Sequence, residues 1–157
     1  AAEAVRARVG QDLADAMQRE WRTLGIHLGY VYEGSPVCVA DGTPPPPLDP
    51  SVYRPTSRPG SRAPHVWRAD GSSMLDLYGR GFVLLRLGER APVPSAFAAA
   101  AARIGLPLEV VAVDEPAVAA IYERALVLVR PDGHVAWRGD AVPADPVAVI
   151  DRVRGAG

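Results

Sequence analysis

The sequence contains no lysine: all 17 basic residues among its 157 are arginine. That absence excludes the P-loop lysine, Schiff-base catalysis and the Ser-x-x-Lys nucleophile systems together. An alanine-, arginine-, proline- and glycine-rich chain without lysine is what GC-rich codons encode, so genome bias explains it before function does. Cys38 is the one cysteine, so no intrachain disulfide can form and the cytoplasm is the default compartment. No apolar run reaches the roughly 18 residues of a transmembrane helix. The N-terminus lacks the basic-then-apolar order of a signal peptide. With a formal net charge of −1, there is no electrostatic basis for a nucleic-acid or anionic-membrane partner. Neither Gly-x-Gly-x-x-Gly nor Gly-x-Ser-x-Gly occurs, which removes the dinucleotide fingerprint and the hydrolase nucleophile elbow.

What is present is ordinary for a globular chain: 48% hydrophobic and 22% charged residues. The length suggests one domain with an appendage, able to bury about 70% of its unfolded surface. Val5, Val9, Leu13, Met17, Trp21 and Leu24 recur at steps of four or three, one apolar stripe on a helix with Gly25 as its C′ residue. Ala1-Ala2-Glu3-Ala4 supplies no capping side chain. The helix therefore reads as a frayed terminus or as one continuing from a longer chain. Alternation over residues 26–33 predicts a strand. Eight of the 16 prolines fall in residues 41–64, a linker whose Pro44–Pro47 run favours polyproline II. A stretch that long inside one domain reads as a join between two structural units.

Beyond the linker, His65–Arg68 reads as a strand entering a turn at Asp70-Gly71, and Ser72 as the cap of a short helix. Phe82–Leu87 and Leu108–Val113 are near-continuously apolar, as strands buried on both faces would be. Helices are expected over Pro94–Ile104, stopped by Gly105, and over Pro116–Glu123. Leu126–Arg130 and His134–Arg138 flank a Pro131-Asp132-Gly133 hairpin, and Asp145-Pro146 opens a last helix. From residue 82 the order is β-α-β-α-β-β-α. Its two crossovers predict parallel neighbours with right-handed connections, and the hairpin an antiparallel edge. The fold class is α/β: a thioredoxin-like mixed sheet with helices on both faces, preceded by an N-terminal helix, a strand and the Pro-rich linker. Other α/β topologies remain open.

A redox enzyme of that fold needs a cysteine just after the first core strand, where a helix N-terminus stabilises the thiolate. Here the place reads Gly88-Glu89-Arg90-Ala91-Pro92-Val93-Pro94, without sulfur. Such enzymes also set a proline before the hairpin's first strand, where this chain has Glu123-Arg124-Ala125-Leu126. Thiol-disulfide exchange and peroxide reduction at that site are excluded. Cys38, between two valines, reads as a small buried hydrophobe. His27, His65 and His134 have no partner at metal-ligand spacing, and His134, behind a hairpin glycine, is expected at the surface. Asp114, Glu115 and Asp132 fall at strand ends or turns, where carboxylates are solvated. A triad assembled in space stays open.

Four stretches carry a resemblance. They are Leu28–Pro36 (LGYVYEGSP), Arg58–Trp67 (RPGSRAPHVW), Leu75–Arg86 (LDLYGRGFVLLR) and Leu126–Asp140 (LVLVRPDGHVAWRGD). Together they resemble the C-terminal region of FAD-dependent aromatic-ring hydroxylases of the phenol hydroxylase and polyketide hydroxylase type, over nearly the whole chain.

The resemblance implies a thioredoxin-like domain without redox cysteines that follows FAD-binding and substrate-binding domains. Residues 1–40 would continue from the flavin-binding domain, 41–64 would be a linker, and 65–157 the thioredoxin-like domain. FAD and NAD(P)H would serve the parent enzyme, with O₂ as co-substrate, and this chain would hold no cofactor. No catalytic, cofactor-binding or metal-ligating residue is assigned to it. Its partners would be the other domains of its own chain, with a homo-oligomer compatible. The implied role is structural, with the Val5–Leu24 stripe, Tyr30 and Tyr32 as contact surface. A free-standing thioredoxin-like binding module is the alternative, and an independent enzyme using Cys38 or a spatial triad a third.

Overall fold

The computed structural model describes residues 2–156, apart from the Arg19 side chain. These divide into two compact units: residues up to Tyr30 together with Pro46–Arg54, and Val31–Pro45 together with Pro55 onward.

The first unit holds α1 (Ala2–Trp21) and α2 (Leu24–Gly29). The strand expected over 26–33 is not formed; Leu24–Gly29 is helical, and only Val31 makes a β-bridge, to Ser61. Six residues are too few for alternation to separate the two periods, and a contact distant in sequence decides. The Gly25 and Ile26 amides donate to the Pro50 carbonyl at 3.1 and 3.3 Å. Gly25 is thus not the C′ residue of α1, which ends at Trp21, but a buried helical position. A Cβ there would lie 1.7 Å from the Asp49 carbonyl oxygen, so only glycine permits this approach.

The second unit is built on a four-stranded sheet, β1 (Phe82–Leu87), β2 (Leu108–Val113), β3 (Leu126–Val129) and β4 (Val135–Gly139), in the order β2-β1-β3-β4. β1 and β2 are parallel through α3 (Ser95–Arg103). β3 runs antiparallel to β1, which corrects the expectation of two parallel crossovers. The seven-residue α4 (Pro116–Tyr122) spans only about 10 Å, half the length of a six-residue strand, so it cannot return the chain to the starting end. The hairpin turns at Gly133, with φ +78. α5 (Pro146–Val153) starts as expected, the Asp145 side chain accepting from the Ala148 amide at 2.9 Å.

Strand alternation sends side chains to two cores. Phe82, Leu84, Leu126, Leu128 and Trp137 pack with Phe97 of α3 and Ile150 and Val153 of α5. Val83, Leu85, Val127 and Val129 pack with Val118 and Tyr122 of α4, with Ala63, and with Met74 of a 3-10 turn (Met74–Leu77). Helices therefore cover both faces, the thioredoxin-like arrangement. Each fully buried Leu or Val here contributes roughly 1.5–3 kcal/mol. Ser73, not Ser72, caps the 3-10 turn, in a reciprocal box with Asp76. β2 is an edge strand, with Glu109, Val110 and Ala112 exposed, rather than one buried on both faces. An apolar run reports strand propensity there, not burial on both sides.

Candidate functional site

The loop after β1, where the fold's redox enzymes carry their thiols, is closed by an arginine. The Arg86 guanidinium donates to the carbonyls of Ala91 (2.9 Å) and Glu89 (2.7 Å). A shallow cleft beside it is lined by Gly88, Glu89, Arg90, Pro92, Asp114 and Asp140. It presents carboxylates and a guanidinium but no thiol or hydroxyl. Asp140 caps the Ala125 amide at 3.1 Å, a structural task.

The other sequence candidates are scattered. His27 and His65 are exposed, and His65 lies edge-on to Trp67 with ring centroids 4.9 Å apart. His134 is buried, not at the surface: residues 60–63 run along the hairpin, and its ring packs 4.8 Å from that of Tyr32. Glu115 accepts from the Ala69 amide (2.8 Å) and from Arg68 (3.2 Å). Asp132 pairs with Arg130 at 2.8 Å and caps the His134 amide at 3.1 Å. Asp114 is exposed. Among the described residues, no group of three or more His, Cys, Asp or Glu is placed to hold a metal. Cys38 is buried as expected, its thiol 3.8 Å from the Val135 carbonyl oxygen, and burial pushes its pKa up. A thiol so placed is a poor nucleophile.

The most concentrated polar chemistry lies at none of these candidates. Arg138 of β4 has a side chain only 3% exposed. Its guanidinium donates to Asp41 (2.6 Å), Glu123 (2.8 Å), Ser57 (2.9 Å) and Thr43 (3.2 Å). Arg58, 9% exposed, pairs bidentately with Glu33 at 2.7 and 2.8 Å and donates to the Thr43 carbonyl at 2.7 Å. Burial alone would raise the Asp41 pKa; hydrogen bonds from Thr43 and Arg138 outweigh it and hold the carboxyl at about 2. The signal that could have found this cluster is an arginine inside the buried strand Val135–Gly139, which demands a partner. Buried charge of this kind ties chain to chain.

The family model described as aromatic-ring hydroxylase, C-terminal, matches residues 56–156. The chain belongs to that family. Among curated relatives of this hydroxylase C-terminal family, it is 36% identical to the FAD-dependent monooxygenase apdD of Emericella nidulans, over 84% of this chain and 22% of that protein. It is 39% identical to the tetracenomycin B2 monooxygenase-dioxygenase of Streptomyces olivaceus, over 82% and 25% respectively. The substrate-free rebeccamycin biosynthetic enzyme REBC superposes with a TM-score of 0.83 at 45% identity, over 99% of this chain and 28% of that one. The chain thus spans about a quarter of the length of these relatives.

Of these, apdD is an FAD-dependent monooxygenase, and a structure of the rebeccamycin enzyme RebC contains reduced flavin. The residues of the turn after β1 do not fit the pyrophosphate of a flavin dinucleotide. The turn after β1 has one glycine, Gly88, and then Pro92 and Pro94, which carry no amide hydrogens, while Arg86 bonds to its carbonyls. A pyrophosphate cradle needs free amides at a glycine-rich helix start.

Proposed function

We propose that this chain is the non-catalytic, thioredoxin-like C-terminal part of a longer FAD-dependent monooxygenase. That enzyme would hydroxylate aromatic rings of the phenolic or polyketide kind, using NAD(P)H and O₂ in the cytoplasm. The chain's role is packing: it covers apolar surface of the flavin- and substrate-binding domains, which hold every cofactor and catalytic residue. Residues 1–40 continue from the flavin-binding part, 41–64 link, and 65–157 form the thioredoxin-like domain. The observation that carries this reading is the stripe on α1. Val5, Val9, Leu13, Met17 and Trp21 are all exposed, Trp21 to 80%. An apolar face of that length is normally covered by a partner.

Two measurements test it. The reading frame upstream of the Ala1 codon should continue for roughly two domains and hold a Gly-x-Gly-x-x-Gly after a strand; a start codon close to Ala1 overturns the proposal. In the longer protein, deletion of residues 65–157 should lower the melting temperature, and unchanged stability and oligomeric state would sink the packing role.

One observation favours a second reading, a free-standing binding module. An apolar groove of about 880 Å³ runs between Pro36, Val37 and Val39 on one side and Ala148, Val149 and Gly155 on the other. That reading requires a stable monomer and a native N-terminus near Ala1.

A further inference from the structure

Two limbs of chain meet at the Arg138 cluster. The outgoing limb brings Asp41 and Thr43, and the returning limb brings Ser57 and Arg58. Between them lies the proline-rich loop, whose Pro46–Arg54 portion belongs to the first unit while both roots belong to the second. We propose that Arg138 and Arg58 form a clasp that closes this loop at its root, and that the clasp opens as a local unit while the sheet stays folded.

Three observations support the proposal. First, the two arginines bridge residues that share no element: β4, the end of α4, and both limbs. Second, the limbs' other holds on the sheet are mainly polar. The Ala63 amide donates to the Gly133 carbonyl (2.8 Å), and the Ser61 carbonyl accepts from the Val135 amide (2.9 Å). The Val39 amide donates to the Ala136 carbonyl (2.8 Å), the Gly60 amide to Val135 (2.8 Å), and Arg152 to the Cys38 carbonyl (3.0 Å). Third, the sheet and its helices carry the two apolar cores, to which the limbs give mainly Ala63 and the partly buried Val39. Removing one member of a buried ion pair strands the other, at high cost. Opening the clasp whole is different. Both partners return to water together, so the penalty of an unpaired buried charge is not incurred. Polar, hydratable closure set on an apolar body is the physical form of a low-energy local opening.

The test is residue-resolved amide hydrogen exchange on the 157-residue chain. Arg138→Met keeps length and removes every donor. Asp41→Asn leaves the Glu123 pair in place and serves if Arg138→Met does not fold. Both should raise exchange at Val39 and Gly60 by about tenfold or more, the loss of a charge-assisted hydrogen bond. Phe82, which donates to Pro107 at the far end of the sheet, and Leu106, which donates to Ala101, should be unchanged. Glu33→Gln should act in the same direction through Arg58. Unchanged exchange at Val39 and Gly60 overturns the clasp. So does a parallel rise at Phe82 and Leu106, which would mean that only global stability was altered.

Discussion

Glu123 reaches Arg138 at 2.8 Å from a backbone held in the left-handed region, φ 63, the only non-glycine described with positive φ. Left-handed geometry costs a residue with a Cβ about 1–2 kcal/mol. The same residue ends α4 and supplies a carboxylate to the buried guanidinium, so conformation and charge are set against each other. Glu123→Ala loses the pair and keeps the strain; Glu123→Gly loses the pair and relieves it. Urea unfolding should therefore find Glu123→Ala less stable than Glu123→Gly by about 1 kcal/mol. Equal stabilities would mean that the strain is not borne at this position.

Asp41 makes the clasp acid-sensitive. Its folded pKa, about 2, lies below the ordinary value of 3.8. A depressed carboxyl contributes stability that is present above the unfolded value and lost as pH falls towards the folded one. The groups facing it are Arg138 from β4 and Thr43 from its own limb, with Glu123, Arg58 and Glu33 around them. Between pH 4 and pH 2, wild type should lose about 1–2 kcal/mol more than Asp41→Asn. Denaturant titrations at the two pH values measure it, and parallel curves would contradict the assignment.

At the alkaline end the relevant pair is Tyr78 and Tyr122, with hydroxyls 2.8 Å apart, Tyr122 donating to the Pro64 carbonyl at 2.7 Å. Burial pushes Tyr78 up to about 12, outweighing the downward pull of the Tyr122 hydroxyl. A raised pKa stabilises the fold below the unfolded value, and that contribution disappears as pH climbs from 10 to 12. Tyr78→Phe should flatten the loss of stability over that range. Tyr122→Phe should cost about 1–3 kcal/mol at neutral pH by leaving the Pro64 carbonyl without its donor.

Two glycines in helices should respond oppositely to alanine. At Gly10, in α1, an added methyl would meet nothing within 4 Å, so Gly10→Ala should raise helicity. Its expected gain is up to about 1 kcal/mol of helix propensity. At Gly25 the same gain is overwhelmed, because the methyl would overlap the Asp49 carbonyl. Overpacking against backbone costs about 1–3 kcal/mol or more. Far-ultraviolet circular dichroism should show helix gained in the first variant and lost in the second.

The sheet was legible because its signals are local. Alternating and continuous apolar runs named all four strands, and Asp145-Pro146 named the start of α5. What escaped is decided by contacts far apart in sequence. Asp41 and Arg138 are 97 residues apart, and nothing near Asp41 announces its partner. His134 read as a surface residue because the hairpin alone exposes it; the covering residues 60–63 arrive from far upstream. The helix at Leu24–Gly29 exists through Pro50, not through its own periodicity.

The three indoles are divided between environments: Trp21 and Trp67 are 80% and 69% exposed, while Trp137 is 8% exposed and packs 5.1 Å from Phe97. Emission from this chain is therefore a sum of two wet fluorophores and one dry one. Melting of the sheet red-shifts Trp137 alone. Coverage of α1 by another protein surface blue-shifts Trp21 while Trp137 stays where it was. A single emission spectrum, with one Trp→Phe variant for each indole, separates folding from docking without any added label.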